Sequence, residues 1–177
     1  MKKIILGLII LVGAASCQEQ QKIAFVDNAK VVNEFNKKVD FEANFKTKID
    51  AFNKKADSLN KMIQMEAQAF QASASKMKQS VAEEKYNTLL QKKQMQDYQI
   101  SNEEKALTAE GQKQLDTIVK EVKAFIKDYG KTNGYTYILG ANDAGSVLYG
   151  NDTNDITEEI LSALNKDSEK EDVKSEE

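Results

Sequence analysis

The side chains in this sequence that could do chemistry are carboxylates, lysines and a single cysteine, Cys17. The carboxylates come as neighbouring pairs, Glu83-Glu84 and Glu103-Glu104, and as one polar run, Asn151-Asp152-Thr153-Asn154-Asp155 with Glu158 beyond it. Acid/base work needs two carboxyls whose surroundings push their pKa values apart. Both Glu pairs fall in stretches predicted to be exposed helix, where they serve solvation. The polar run could suggest calcium, but it lacks the glycine and the alternation of an EF-hand loop. It reads as a turn followed by a helix cap.

What is missing narrows the chemistry further. There is no histidine, so Cys/His zinc sites, Ser-His-Asp triads and Cys-His dyads cannot be built. One cysteine excludes an internal disulfide. Neither G-x-x-x-x-G-K-[ST] nor G-x-G-x-x-G occurs, so nucleotide use has no support. No catalytic constellation, cofactor or metal is expected, and the chain is read as not an enzyme. All 25 basic residues are lysine, against 28 carboxylates, for a formal net charge of −3. An acidic chain without arginine is a poor nucleic-acid binder, because phosphate must be neutralised. The chemistry left is that of adaptable contact. Met62, Met65, Met77, Met95 and Tyr98 are the candidate residues for a promiscuous binding surface, since methionine re-packs readily. The alternative is that such residues fill a helix seam, and for the neighbouring Phe70 that is the preferred reading.

Cys17 belongs to a targeting segment. Lys2 and Lys3 precede an apolar run, Ile4 to Val12, and the small residues Gly13-Ala14-Ala15-Ser16. The run is too short to span a bilayer, which takes about 20 residues. Residues 1–16 therefore read as a signal peptide and stand outside the fold. Cys17 follows directly, at the acceptor position of a bacterial lipoprotein signal. Ala14 stands where leucine is usual, and ordinary cleavage near Ala15 or Ser16 is the alternative.

The remaining elements must position any contact surface. The chain has no proline, and over about a hundred residues from Asn28 to Tyr129 it has one glycine, Gly111. An internal proline costs about 3 kcal/mol in a helix, so its absence suits long unbroken helices. Phe45, Ile49, Phe52, Ala56, Leu59 and Ile63 are spaced as a heptad seam, expected of a helix lying on another helix. Leu115, Ile118, Val119, Val122, Phe125, Ile126 and Tyr129 form a wider stripe suited to a sheet or bundle. A Ser/Ala-rich stretch at 72–80 lies between, and an antiparallel hairpin reversing there is predicted in preference to one rod of about 150 Å.

Short strands flank the hairpin. Lys22 to Asp27 reads as one strand, with Asp27 and Asn28 as helix caps. Gly130 is placed as the glycine that ends the long helix. Tyr135–Leu139 and Val147–Tyr149 read as a β-hairpin about an Asn142-Asp143-Ala144-Gly145 turn. Asp155 and Glu158 are predicted to make a capping box for a last helix, with Ile156, Ile160, Leu161 and Leu164 as its apolar face. The predicted organisation is thus a β-rich body, 22–35 and 130–165, and a helical hairpin, 36–129, with its tip near 72–82. A disordered acidic tail, 166–177, is expected to follow. Three short strands bury little surface alone. Oligomerisation would close several such sheets around a common axis, with Ile23, Phe25, Tyr135, Tyr137, Leu139, Val147 and Tyr149 as the candidate body residues.

The strand Lys22-Ile-Ala-Phe-Val-Asp27, the proline-free hairpin, Ser101-Asn-Glu-Glu104 in its second arm, the Tyr135-Thr-Tyr-Ile-Leu139 strand and the closing Asp155-Ile-Thr-Glu-Glu-Ile160 together resemble the Skp/OmpH family. The resemblance covers about Lys22 to Asn165. It implies a mainly α fold with a small β body: a coiled-coil tentacle plus a three-stranded sheet contributing to a trimeric β-barrel. It further implies an ATP-independent periplasmic holdase for unfolded outer-membrane β-barrel proteins, acting as a homotrimer. Two departures stand out. The best-known members are strongly basic, whereas here residues 22–130 hold 19 Lys against 16 acids and residues 131–165 hold one Lys against five. Those members are also soluble, whereas a lipid on Cys17 would give membrane contact. The other class in view is a structural coiled-coil envelope lipoprotein that serves as a spacer or scaffold.

Overall fold

The computed structural model describes residues 21–142 and 147–175, the last five without their side chains. The order is β1 (Ile23–Asp27), α1 (Asn28–Glu34), α2 (Asn36–Ala74), α3 (Gln79–Thr132), β2 (Tyr137–Ala141), a 3-10 turn (Asp152–Asn154) and α4 (Thr157–Ser175). Cys17 and the signal segment lie outside the described residues, as does most of the predicted 142–145 turn. Among the described residues no helix is long and apolar enough to cross a membrane.

The core sits in the body. β1 alternates as a strand with one buried face must, sending Ala24 and Val26 inward. They meet Val31 and Phe35 of α1 and its end, Ile118 and Val122 of α3, and Ile156, Ile160 and Leu164 of α4. The Asp27 carboxylate caps α1 by accepting from the Lys30 N–H at 2.9 Å. α1 stops at Phe35, whose extended backbone (φ −64°, ψ 121°) turns the chain into α2 while its ring is fully buried.

β1 and β2 pair in parallel, Ile23 opposite Tyr137 through Asp27 opposite Ala141. Parallel neighbours need a long crossover, and here that crossover is the whole helical hairpin. α2 is 39 residues and α3 is 54 residues, so α3 alone is about 80 Å long at 1.5 Å per residue. They reverse at residues 75–78, where the Lys76 and Met77 N–H groups donate to Ser73 and Ala74 carbonyls. The Ser73 hydroxyl donates back to the Ala69 carbonyl at 2.8 Å.

Five local expectations are corrected. Gly130 lies inside α3, which runs on to Thr132; the left-handed residue is Gly134, φ 70°. The Tyr135 N–H donates to the Gly130 carbonyl (2.9 Å) and the Gly134 N–H to the Lys131 carbonyl (3.4 Å). That is a Schellman ending built one turn later than Gly130 suggested. The second strand is accordingly Tyr137–Ala141, and Tyr135 precedes it. Val147–Tyr149 forms no strand, so among the described residues the sheet has two strands rather than three. The other edge of β1 is taken instead by Asp155–Thr157: the Ile156 N–H donates to the Phe25 carbonyl (3.0 Å) and the Asp27 N–H to Thr157 Oγ1 (2.9 Å). At the start of α4 only half of the capping box forms. Asp155 accepts from the Thr157 N–H at 2.9 Å, while Glu158 turns away to Lys30. Finally, α4 continues through Ser175 where a disordered tail was expected. Propagating a helix already nucleated on a core adds one hydrogen bond per residue, and Ser168 is still buried on that helix.

Candidate functional site

The two arms are zipped along one register. Lys37 pairs with Glu121 (2.8 Å), Lys48 with Glu110, Lys55 with Glu103 (2.6 Å) and Lys92 with Glu66. Each cross-arm pair lies further along the same antiparallel alignment, with no slip from base to tip. Inside this ladder, Phe45 lies on Gly111: a Cβ placed at Gly111 would sit 2.8 Å from the Phe45 ring. Further out, the buried Gln96 donates to Asn60 across the seam at 3.4 Å. Phe70 and Tyr86 then face each other with ring centroids 6.3 Å apart.

The seam thins toward the tip. Ile63 on α2 and Gln96 on α3 are buried, but no residue between them is. None of the larger apolar groups in that span is fully buried, and a cleft of about 470 Å³ lies just below the turn. Phe70, Met77, Val81 and Leu89 form its apolar walls, with Glu84 and Lys85 on its rim.

The predicted contact residues separate into two groups. Met62, Met65, Met95 and Tyr98 point into solvent, Met95 at 73% and Tyr98 at 72% exposure. Met77 is half-buried in the cleft with Phe70. The structure thus gathers no single pocket from these five. Gln96 and Gly111 were not singled out from sequence as seam residues. Each breaks an apolar stripe at a seam position, and that interruption was the available signal.

The body residues also divide. Tyr135 is engaged within the chain: its ring stacks near Tyr129 and carries the Lys22 ammonium 3.8 Å from its centroid. Phe25 packs its ring against Gly150, and Val147 is half-buried. Ile23, Tyr137 and Leu139 are exposed on the sheet, and β2 has an unpaired edge among the described residues. Leu148 and Tyr149 are 93% and 89% exposed. Unpaired edges and bare apolar side chains together mark a surface for another chain.

Asp155, Glu158 and Glu159 are held in hydrogen bonds within the body. Asn151 accepts from the Thr153 N–H (3.0 Å). The hydrogen bond to Glu158, together with its charge, raises the Lys30 pKa. The Tyr129 hydroxyl donates to Glu159, and that bond, with partial burial, pushes the phenol up to about 12. Among the described residues no three acid, histidine or cysteine side chains converge as metal ligands would.

The family described as Outer membrane protein (OmpH-like) matches residues 22–164. Among solved structures, the chain is similar to a candidate outer membrane chaperone (OmpH-like) from Caulobacter crescentus CB15. The TM-score is 0.74 at 20% identity, over 85% of this chain and 87% of that chain. At that identity the likeness speaks for the fold. No curated protein matches the chain.

Proposed function

The chain belongs to the OmpH-like family, and from that premise we propose that it is an ATP-independent periplasmic holdase chaperone for unfolded outer-membrane proteins. Three copies assemble through the body. The unpaired edge of β2, the exposed Ile23, Tyr137 and Leu139, and the bare Leu148-Tyr149 segment are covered in that assembly, and Val147–Tyr149 supplies the missing strand of a β-barrel. Three hairpins then project from one body and enclose a cavity. A lipid on Cys17 tethers the body to a membrane.

Holding an unfolded chain calls for many weak, exchangeable contacts rather than one deep pocket. The observation that carries the reading is the exposure of Met62, Met65, Met95 and Tyr98 along arms that are otherwise zipped by their own ion pairs. These flexible apolar groups are left for something other than the hairpin itself. The arms carry a modest lysine excess over acids and the 131–165 segment an acid excess, which leaves charge a secondary role in client grip.

The test is suppression of aggregation. The purified chain without its signal segment is mixed with a urea-unfolded outer-membrane β-barrel, and light scattering is followed on dilution. The holdase reading expects scattering to be abolished at one client per trimer. Undiminished scattering with normal oligomer formation would instead support a spacer or scaffold.

A further inference from the structure

We infer that Met62, Met65 and Met95 are a reversible oxidation switch on client holding: a peroxide converts their thioethers to sulfoxides, and the arms then grip unfolded chains less tightly. This rests on the holdase reading and adds to it a modification site with a stated consequence.

Register brings these residues together. Lys92 pairs with Glu66 and Gln96 bonds to Asn60, which fixes the height at which the arms meet. Ile63 on α2 and Gln96 on α3 are the buried residues there. Met62 stands one position before Ile63 and Met65 two after it; Met95 stands one before Gln96 and Tyr98 two after it. Turning an antiparallel pair about the axis that exchanges its helices keeps each face in place, so equal offsets from the seam lie on one face. The two pairs therefore make a single band, about 10 Å of arm at 1.5 Å per residue. All four side chains are at least half exposed, from 50% at Met62 to 73% at Met95, whereas Met77 is half-buried beside Phe70.

The sequence leaves an oxidant few other targets. It has no tryptophan and no histidine, and its five methionines, Met1 of the signal segment among them, stand beside a single cysteine, Cys17. Methionine sulfur reacts where it is accessible, and the sulfoxide is polar and is reduced again by methionine sulfoxide reductases. In the step itself the sulfur attacks one oxygen of the peroxide. The O–O bond breaks, an S–O bond forms and the sulfur gives up two electrons. The proton of the transferred oxygen passes to the leaving hydroxide, which departs as water. Three sulfoxides on one band turn flexible apolar groups into polar ones that retain water. The seam residues Ile63, Gln96 and Asn60 take no part, so contact changes while the hairpin stays folded.

The test treats the full chain without its signal segment with hydrogen peroxide and maps the gain of oxygen by peptide mass spectrometry. Met95, Met65 and Met62 are expected to oxidise before Met77. Holding is read by light scattering of a urea-unfolded outer-membrane β-barrel on dilution. The chaperone concentration for half suppression is expected to rise about tenfold or more on oxidation, with helicity unchanged, and to return after treatment with reductases for both sulfoxide epimers. The triple variant Met62→Leu, Met65→Leu, Met95→Leu keeps the apolar area and Cys17 but lacks the three sulfurs, and should hold client equally before and after peroxide. Holding unchanged by complete oxidation of the three residues would overturn the switch. So would an equal loss in the leucine variant, Met77 oxidising first, or a loss of helicity in step with the loss of holding. The two readings fail separately. An untreated chain that does not suppress aggregation removes the holdase and the switch with it, whereas suppression that survives oxidation removes the switch alone.

Discussion

Phe45 and Gly111 meet face to face across the hairpin, the ring lying where a side chain at position 111 would be: 2.8 Å from an added Cβ. This contact sets how closely the proximal arms approach. Gly111→Ala is a contest between about 1 kcal/mol gained in helix propensity and a ring that must shift, so its net effect is small. Gly111→Leu has no such balance and is expected to destabilise the arms by about 1–3 kcal/mol through overpacking. Adding Phe45→Ala should return part of that loss. Urea unfolding followed by helicity checks both variants.

Gln96 is the polar member of the distal seam, and its bond to Asn60 is long at 3.4 Å. A buried polar residue at a seam position helps fix register at a cost in stability. Gln96→Leu is therefore expected to stabilise the hairpin by about 1 kcal/mol, read as a higher denaturation midpoint. The exposed Asn60 can return to water. A lower midpoint would mean the amide pair contributes more than its geometry suggests.

The four cross-arm ion pairs are exposed or half-exposed, so each is worth at most about 1 kcal/mol. Raising salt to about 1 M shortens the screening length to about 3 Å and should lower arm stability only modestly. Lys55→Glu should destabilise by a similar small amount, and the swap Lys55→Glu with Glu103→Lys should recover it. Melting curves at low and high salt measure both.

The Tyr129 hydroxyl, bonded to Glu159, ionises at about 12 instead of its ordinary 10. In the unfolded chain the phenol loses its proton near 10, before the folded one does. The stability from this bond is thus fully present below pH 10 and is lost as pH rises toward 12. Tyr129→Phe should cost about 1 kcal/mol at neutral pH and should flatten this part of the alkaline decline. Stability of the two proteins between pH 8 and 12, from urea titrations, gives the comparison.

Much of the fold was legible because helical periodicity is strong where packing is regular. Phe45 to Ile63 and Ile118 to Tyr129 declared two long helices, and Ile156, Ile160, Leu161 and Leu164 declared the face that α4 buries. Chain ends of elements were less legible. Gly130 looked like a helix terminator, yet its missing side chain makes room for Ile138, and Gly134 provides the positive φ. Val147–Tyr149 has the composition of a strand, but a strand is made by its neighbour, and among the described residues it has none. The contact residues were legible only as types. Methionine at 62, 65 and 95 is compatible with a seam or with solvent, and the one-residue difference in helical phase that separates those outcomes depends on where the partner arm lies. The cleft at the tip depends on how two helices meet, which no single stretch of sequence encodes.

The measurement that bears most directly on the account is native mass spectrometry of the chain without its signal segment, alone and after dilution of an unfolded outer-membrane β-barrel into it. The account predicts a trimer alone, and a trimer carrying one client when the barrel is present. A monomer or dimer, or a trimer that never retains client, would contradict it.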